Sequence, residues 1–328
     1  MARAFVPAAA FFAALIAYVL TGPRHITWAH GGFDGGDLLA AAAVSGVPHP
    51  PGYPFYTMLL GGALRVLPFA DAAFRGHFLS MMLAAGAAAL TADMGRRLTR
   101  SAAAGIVGAL AMAFWLPVWT QALITEVYAL ELFLLALAWW ALYRWRAERL
   151  NPGWLGLLLG LGLTHRPTAL ASIAGIGLVL LARRERLTRR SWIALAAGFA
   201  VGLLPLLYLP LAASAKPPIL WGEPSMPAGF WDLITAKMYG GHVLGLPVSA
   251  WGERALAWSG QLILSGAALI TLAVYGRAHP KGAIFCGMAL DGAARLIFAF
   301  TYDRRDAAVN MAAPAFFLGV WVCAAAAW

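Results

Sequence analysis

Charge is what this sequence is most short of. Asp, Glu, Lys and Arg make up 12% of its 328 residues, while 62% are hydrophobic and mean hydropathy is +0.74. Soluble globular chains carry about 25% charged and about 45–50% apolar residues. Too little polar surface remains to coat a water-soluble body, so soluble enzymes and soluble binding modules are excluded. Cysteine is scarce as well. Cys286 and Cys323 each lie inside an apolar run, which leaves no disulfide framework and no cysteine metal motif. There is no internal repeat and no low-complexity tract beyond alanine-rich helix. A small-x-small cleavage site is missing after the first apolar run, where Thr21, Gly22, Pro23 and Arg24 follow. That run is therefore expected to remain as a first membrane helix and not to leave as a signal peptide.

What is present in quantity is apolar runs of the length a membrane helix needs, about 20 residues, recurring from Phe5 to Trp328. The formal net charge is +10, yet the basic residues sit in short clusters between these runs and not along one polar face. Such clusters mark cytoplasmic loops and argue against a nucleic-acid partner. They are Arg3; Arg96, Arg97 and Arg100; Arg144, Arg146 and Arg149; Arg183, Arg184, Arg186, Arg189 and Arg190; and Arg277 with Lys281. An even number of spans must separate consecutive clusters if all face the cytoplasm. The stretch 53–69 holds Gly61, Gly62 and Arg65 between prolines and would break that parity, so it is expected to lie on the outer surface as an interfacial helix. The spans then run 4–20, 77–95, 102–119, 127–144, 153–165, 168–182, 191–211, 255–275, 282–300 and 308–327. The expected fold is an all-α polytopic protein of ten transmembrane helices in the inner membrane, a single domain over 1–328 with both termini cytoplasmic. Its two long outer segments, 21–76 and 212–254, are too long for simple turns and too rich in Trp, Tyr, Pro and Gly for disorder.

The first of these segments reads Phe33-Asp34-Gly35-Gly36-Asp37, a short Leu/Ala run, then His49-Pro50-Pro51-Gly52-Tyr53-Pro54. Asp34 falls near the N-cap of the run and Asp37 in its first turn. Capping and helix-dipole stabilisation, worth about 1 kcal/mol, would account for one Asp well and the second less well. Two acids in a glycine-rich turn at a membrane surface also suit a base or a metal site, and both readings stay open. The prolines fix φ and make a rigid corner between two helices. A corner needs Pro and Gly but has no use for His49 and Tyr53.

Asp-Gly-Gly-Asp, a short alanine-rich helix and His-Pro-Pro-Gly-Tyr-Pro together resemble the first outer loop of the transmembrane protein 260 family. That family is related to protein O-mannosyltransferases and to the wider class of C-type membrane glycosyltransferases. Further matches follow in order: Thr125-Glu126-Val127-Tyr128-Ala129-Leu130, Gly162-Leu163-Thr164-His165, Tyr208-Leu209-Pro210-Leu211 with Trp221-Gly222-Glu223-Pro224, and Tyr302-Asp303 through Asp306. The resemblance implies C-type glycosyltransferase architecture and an outer-face site. That site would take a sugar, with mannose the leading possibility, from a polyprenyl-phosphate lipid and pass it to a hydroxyl on a protein or glycan. By similarity Asp34 is the base that deprotonates the hydroxyl. Asp37 supports it and stands where the family usually has Glu. The chain ends with its tenth expected span, whereas many relatives continue.

Such a transfer needs a base, worth about 10²–10⁴-fold, and cations for the departing phosphate, at about 1.5–3 kcal/mol for each charge-assisted bond. The outer cations on this topology are Arg24, Arg65, Arg75, Arg166, Lys216, Lys237, Arg254, Arg304 and Arg305. Arg166, next to His165 in a tight outer connection, is the first candidate for phosphate, followed by Arg304 and Arg305 beside Asp303 and Asp306. Each also suits an interfacial lipid anchor. His49 and Tyr53 are expected to shape the sugar pocket. Pro50, Glu126, Tyr128, His165, Trp221, Glu223, Tyr302 and Asp303 complete the expected substrate-binding set. Glu131 lies deeper in its span and is either functional or paired. Asp291 and Arg295, spaced i,i+4, are expected to neutralise each other. No cofactor is expected, although carboxylates can hold Mg²⁺ or Mn²⁺. The rival readings are a transporter, which would show repeats and interrupted helices at the midplane, and a non-catalytic lipid-binding protein.

Overall fold

Residues 2–148, 150–182, 187–278 and 282–326 are described by the computed structural model. Arg149, Arg183, Arg184, Arg186 and Lys281 of the expected basic clusters lie outside them. Every run expected to cross the membrane is at least partly helical. In chain order the helices are α1 (Ala2–Thr21), α2 (Gly35–Ala43), α3 (Pro54–Val66), α4 (Ala72–Thr99), α5 (Ala102–Ala113), α6 (Leu116–Ala122), α7 (Tyr128–Glu148) and α8 (Pro152–His165). There follow α9 (Ala169–Leu181), α10 (Arg189–Gly202), α11 (Tyr208–Ser214), α12 (Pro227–Ile234), α13 (Trp251–Ala257), α14 (Ser259–Ala278), α15 (Gly282–Thr301) and α16 (Ala315–Ala325). Ala and Leu are strong helix formers, and short polar residues begin the runs. Asp71 accepts from Phe74 N at 2.8 Å, Asn151 from Gly153 N at 2.8 Å, and Thr188 from Ser191 N at 3.2 Å.

Three expected spans change at their boundaries. The 102–119 run bends by 69° between α5 and α6, where Pro117 enters the first turn of α6 and cannot continue the preceding helix. Ahead of α14 the chain bends by 89°, so the expected 255–275 span begins in earnest only at Ser259. The 308–327 run opens as a 3-10 turn over Ala307–Met311, and Pro314 starts α16 afresh. By length and composition three helical stretches are sufficient to cross a membrane: Ala72–Thr99, Arg189–Ser214 and Gly282–Thr301. The number rises to five if each bent pair is one span, while Phe5–Thr21, α9 and α16 are shorter apolar helices. Helix length thus leaves the expected count of ten as a proposed topology. Arg189–Ser214 has only 11% of its most apolar window buried inside the protein, which suits a surface turned to lipid.

Small residues decide the packing. A Cβ on Gly156 would stand 2.0 Å from Leu195 O, and one on Gly160 2.8 Å from Gly202 Cα. The α8 and α10 backbones therefore touch, the approach that glycine at helical spacing permits between membrane helices. Buried Ala84, Ala85, Ala88 and Ala92 make α4 the centre of the main core, against α1, α5 and α7. A second core of Leu38, Tyr53, Tyr56, Leu60 and Leu130 seats α2 and α3 beside α7. A third, of Val47, Leu209, Ala212 and Leu233, joins the two long loops. There Val47 and Leu220 form a parallel β-bridge, with Val47 N donating to Ile219 O at 3.0 Å and Trp221 N to Val47 O at 3.1 Å. The second loop is thereby laid across the first.

Candidate active site

Gly35 sits where the Asp34 turn presses on the segment before α7: a Cβ there would be 3.0 Å from Thr125 O. In the same contact Glu126 Oε1 accepts the backbone N–H of Asp34 at 3.3 Å. Asp34 occupies the N-cap position of α2 but makes no side-chain capping bond. The capping reading of this residue therefore fails. Its carboxylate, 49% exposed, faces His49 Nε2 at 3.5 Å. Asp37 is fully engaged. It accepts the His49 backbone N–H at 2.9 Å, stands 2.7 Å from His49 Nδ1, and accepts the Trp221 indole N–H at 3.0 Å. Burial would raise the Asp37 pKa, but the ring and backbone bonds of His49 and the Trp221 indole hold its carboxyl below the ordinary range.

Asp34, His49, Pro50, Tyr53, Tyr128, Arg166, Tyr302 and Arg304 line one cavity of about 340 Å³, within the range of about 300–1,000 Å³ typical of small-molecule sites. Eight of the residues expected in the site are thus brought together from the first loop, the α7 start, the α8–α9 connection and the segment after α15. Six others stand apart. Asp37 and Trp221 lie behind His49. Glu126 is buried below Asp34, where desolvation and then repulsion by Asp34 raise its pKa well above normal. His165 is buried, with the rings of Tyr53 and Tyr56 6.0 and 6.1 Å away, and donates from Nε2 to Val127 O at 2.8 Å. Asp303 belongs to a neighbouring cavity of about 550 Å³ that shares Asp34, Arg304 and Asp306 with the first. Glu223 is exposed, and its carbonyl accepts from Met226 N at 2.9 Å in the turn before α12. Tyr53 holds a left-handed backbone (φ 39°) just before α3. That conformation is costly for a bulky residue, and it keeps the ring 5.2 Å from that of His49.

Sequence reasoning did not single out Tyr239, Thr168 and Asn310, which also line the cavity. Asn310 carried a signal, being the one polar residue in Ala307-Ala308-Val309-Asn310-Met311-Ala312. Tyr239 carried none.

The cations sort differently from expectation. Arg166 reaches the cavity, but its Nη1 is paired with Glu131 and its Nη2 donates to Asn310 at 2.9 Å. Tyr128 lies under its guanidinium at 4.6 Å. Glu131 is also bonded by Thr168 and, at 2.5 Å, by Arg295, which in turn holds Asp291 at 2.8 Å. The expected Asp291–Arg295 pair therefore exists as one part of a larger network. Arg75 donates to Leu64 O, Phe69 O and Ala70 O, and Arg254 to Phe300 O and Tyr302 O, so both are loop fasteners. Arg304 is exposed on the wall shared by the two cavities, 3.9 Å from Asp306. Among the described residues no three His, Cys, Asp or Glu side chains form a metal-ligand set.

The pattern of the protein O-mannosyl-transferase TMEM260 N-terminal domain matches residues 34–189. The protein O-mannosyl-transferase TMEM260 of Mus musculus is 31% identical over 242 residues, which are 70% of this chain and 34% of the mouse protein. In fold, the chain is similar to ArnT from Cupriavidus metallidurans bound to undecaprenyl phosphate, with TM-score 0.65 and 12% identity over 95% of this chain and 59% of that one. The apo ArnT structure gives TM-score 0.57 and 14% identity over 95% and 58%. The chain thus spans about a third of the mouse relative and under two thirds of ArnT, and its likeness to ArnT is one of fold.

Proposed function

We propose that the chain is a member of the TMEM260 family, whose N-terminal pattern it matches over residues 34–189, and that it is a multi-pass membrane glycosyltransferase moving a sugar from a polyprenyl-phosphate lipid to a hydroxyl group. The observation that carries the proposal is Asp34: a carboxylate spent neither on capping nor on an ion pair with Arg or Lys, on the wall of a sugar-sized cavity. In the proposed reaction Asp34 takes the acceptor proton as the hydroxyl oxygen attacks the anomeric carbon from the face opposite the phosphate, inverting that carbon. His49, Tyr53 and Tyr128 bound the sugar. Arg304 meets the departing phosphate, and Arg166, fixed by Glu131 and Asn310, contributes a preorganised positive field. We take mannose as the donor sugar and a protein or glycan hydroxyl as the acceptor. The reaction is proposed to need no divalent metal, since both Asp37 oxygens already accept donors from His49 and Trp221.

The site is proposed to face the outside of the inner membrane. In support, the cavity lies at the Tyr128 end of α7, while Arg144 and Arg146 lie at its other end. A helix of 21 residues separates its ends by about 30 Å, and basic residues favour the cytoplasmic side.

The test is transfer of labelled sugar from synthetic polyprenyl-phosphate donors by purified wild type and Asp34→Asn, with donor binding measured alongside. Asp34→Asn is expected to lose about 10²-fold or more in rate while binding donor normally. Equal transfer by the two proteins would remove Asp34 as the base. Donor binding without transfer by either would favour a lipid-binding protein.

A further inference from the structure

His49 stands between the two carboxylates of the first loop. Its side chain is 9% exposed, with Nδ1 2.7 Å from Asp37 Oδ2 and Nε2 3.5 Å from Asp34 Oδ2. The Asp37 carboxylate is acceptor-only when ionised, so the ring proton belongs on Nδ1 and the Nε2 lone pair points toward Asp34. The ring bond to Asp37, which the His49 backbone N–H and the Trp221 indole hold in place, and the edge-on rings of Tyr53 (5.2 Å) and Trp221 (6.4 Å) keep the imidazole from turning. Asp34 is half-exposed and free to close the remaining gap, as hydrogen bonds of a resting site commonly do when substrate binds. A histidine that only braced the corner would need the Asp37 contact alone.

We infer that His49 is a proton relay behind Asp34, a positioning residue for the base; the inference rests on the glycosyltransferase reading above. The acceptor O–H proton passes to the Asp34 carboxylate. The acceptor oxygen forms its bond to the anomeric carbon, and the carbon–oxygen bond to phosphate breaks with its electron pair on the phosphate. Asp34, now a carboxylic acid, gives its proton to His49 Nε2. The resulting imidazolium keeps its Nδ1–H on Asp37, whose charge stabilises it. Asp34 is thereby ionised again while product is still bound; once product has left, the proton returns from His49 Nε2 to Asp34 and passes to water at the exposed side of that carboxylate. The charged and titratable groups around the ring are Asp34 and Asp37 from the first loop, Tyr53, and across the cavity Tyr128, Tyr239, Tyr302, Asp306, Arg166 and Arg304. The carboxylates favour the imidazolium and the guanidiniums oppose it.

Asn carries a side-chain N–H where His has Nδ1–H, so His49→Asn retains the bond to Asp37 but accepts no proton. In the purified protein, we expect this variant to keep the wild-type thermal midpoint. Its kcat should fall about tenfold or more. In nitrogen NMR of histidine-labelled protein, His49 should be the Nδ1–H tautomer, and its Nε2 resonance should move in Asp34→Asn. An Nε2–H tautomer, or an Nε2 resonance indifferent to Asp34→Asn, would overturn the relay. So would a His49→Asn enzyme with wild-type kcat while Asp34→Asn is inactive, and in that case the glycosyltransferase reading stands. No transfer by the wild type overturns that reading, and the relay with it.

Discussion

Asp37 and Glu126 are carboxylates a few ångströms from the same turn whose environments drive them in opposite directions. Asp37 has its carboxyl held below the ordinary value of 3.8 by His49 and Trp221. It contributes stability that is complete above the unfolded value and lost as pH falls through the lower folded one. Thermal midpoints measured from pH 6 down to pH 3 should therefore fall more steeply for wild type than for Asp37→Asn. At neutral pH the variant should be destabilised by about 1–3 kcal/mol, the cost of unpaired buried donors. Glu126 has the reverse sign. Burial and Asp34 raise its pKa well above 4.5, so a penalty develops as pH rises above the unfolded value. Glu126→Gln keeps an oxygen for the Asp34 N–H and removes that penalty. Its midpoint should equal wild type in acid and exceed it increasingly as pH rises; a variant less stable than wild type at pH 8 would contradict this. Spacing left Asp34 open between capping and chemistry, and its role as base came only from the family resemblance. The difference between Asp37 and Glu126 was not legible, because it depends on burial and on contacts made by folding: Glu126 with Asp34, 92 residues away, and Asp37 with His49, 12 away, and Trp221, 184 away.

At the scale of helices, the close contact of α8 with α10 gives a sharp contrast between glycines. Gly160→Val would drive a side chain into Phe199 O, 2.5 Å from the Cβ position. Overpacking of that kind costs about 1–3 kcal/mol or more, and it should lower the thermal midpoint in detergent. Gly177 on α9 has no atom within 4 Å of its Cβ position. Gly177→Ala should be neutral or stabilising by about 0.5–1 kcal/mol. The ion network makes a second element-scale claim. Glu131 on α7 joins Arg166 after α8 and Arg295 on α15. Glu131→Gln leaves two buried guanidiniums undercompensated, a loss of about 3–5 kcal/mol that should appear as an unstable or poorly folding variant. Loss of activity at unchanged midpoint would instead assign Glu131 to the chemistry.

For the whole molecule the decisive quantity is sidedness. In a protein with Cys286 and Cys323 replaced, a single cysteine at exposed Lys237 should react with an impermeant thiol reagent from outside intact cells. One at exposed Thr188 should react only after the membrane is opened. Labelling of both from outside would break the proposed topology. Between these two faces the large exposed apolar side chains, such as Leu181, Ile193, Leu204, Leu211, Ile263 and Ile270, cover helix flanks that water would penalise and lipid does not.

Composition and periodicity by themselves determined that this chain is a bundle of membrane helices, where most of those helices run, and which short loop carries chemistry-bearing residues. They did so because apolar length, proline corners and glycine turns act locally. Tertiary structure alone decided how the residues are used. It tied Arg166, the first candidate for phosphate, to Glu131 and Asn310, left Asp34 without a capping bond, sank Glu126 beneath it, and bound Asp37 to Trp221 and to His49. Each of those outcomes depends on helices and loops distant in sequence meeting at one end of the bundle. A hydrogen bond or a desolvated carboxylate exists only once both sides of the contact are in position.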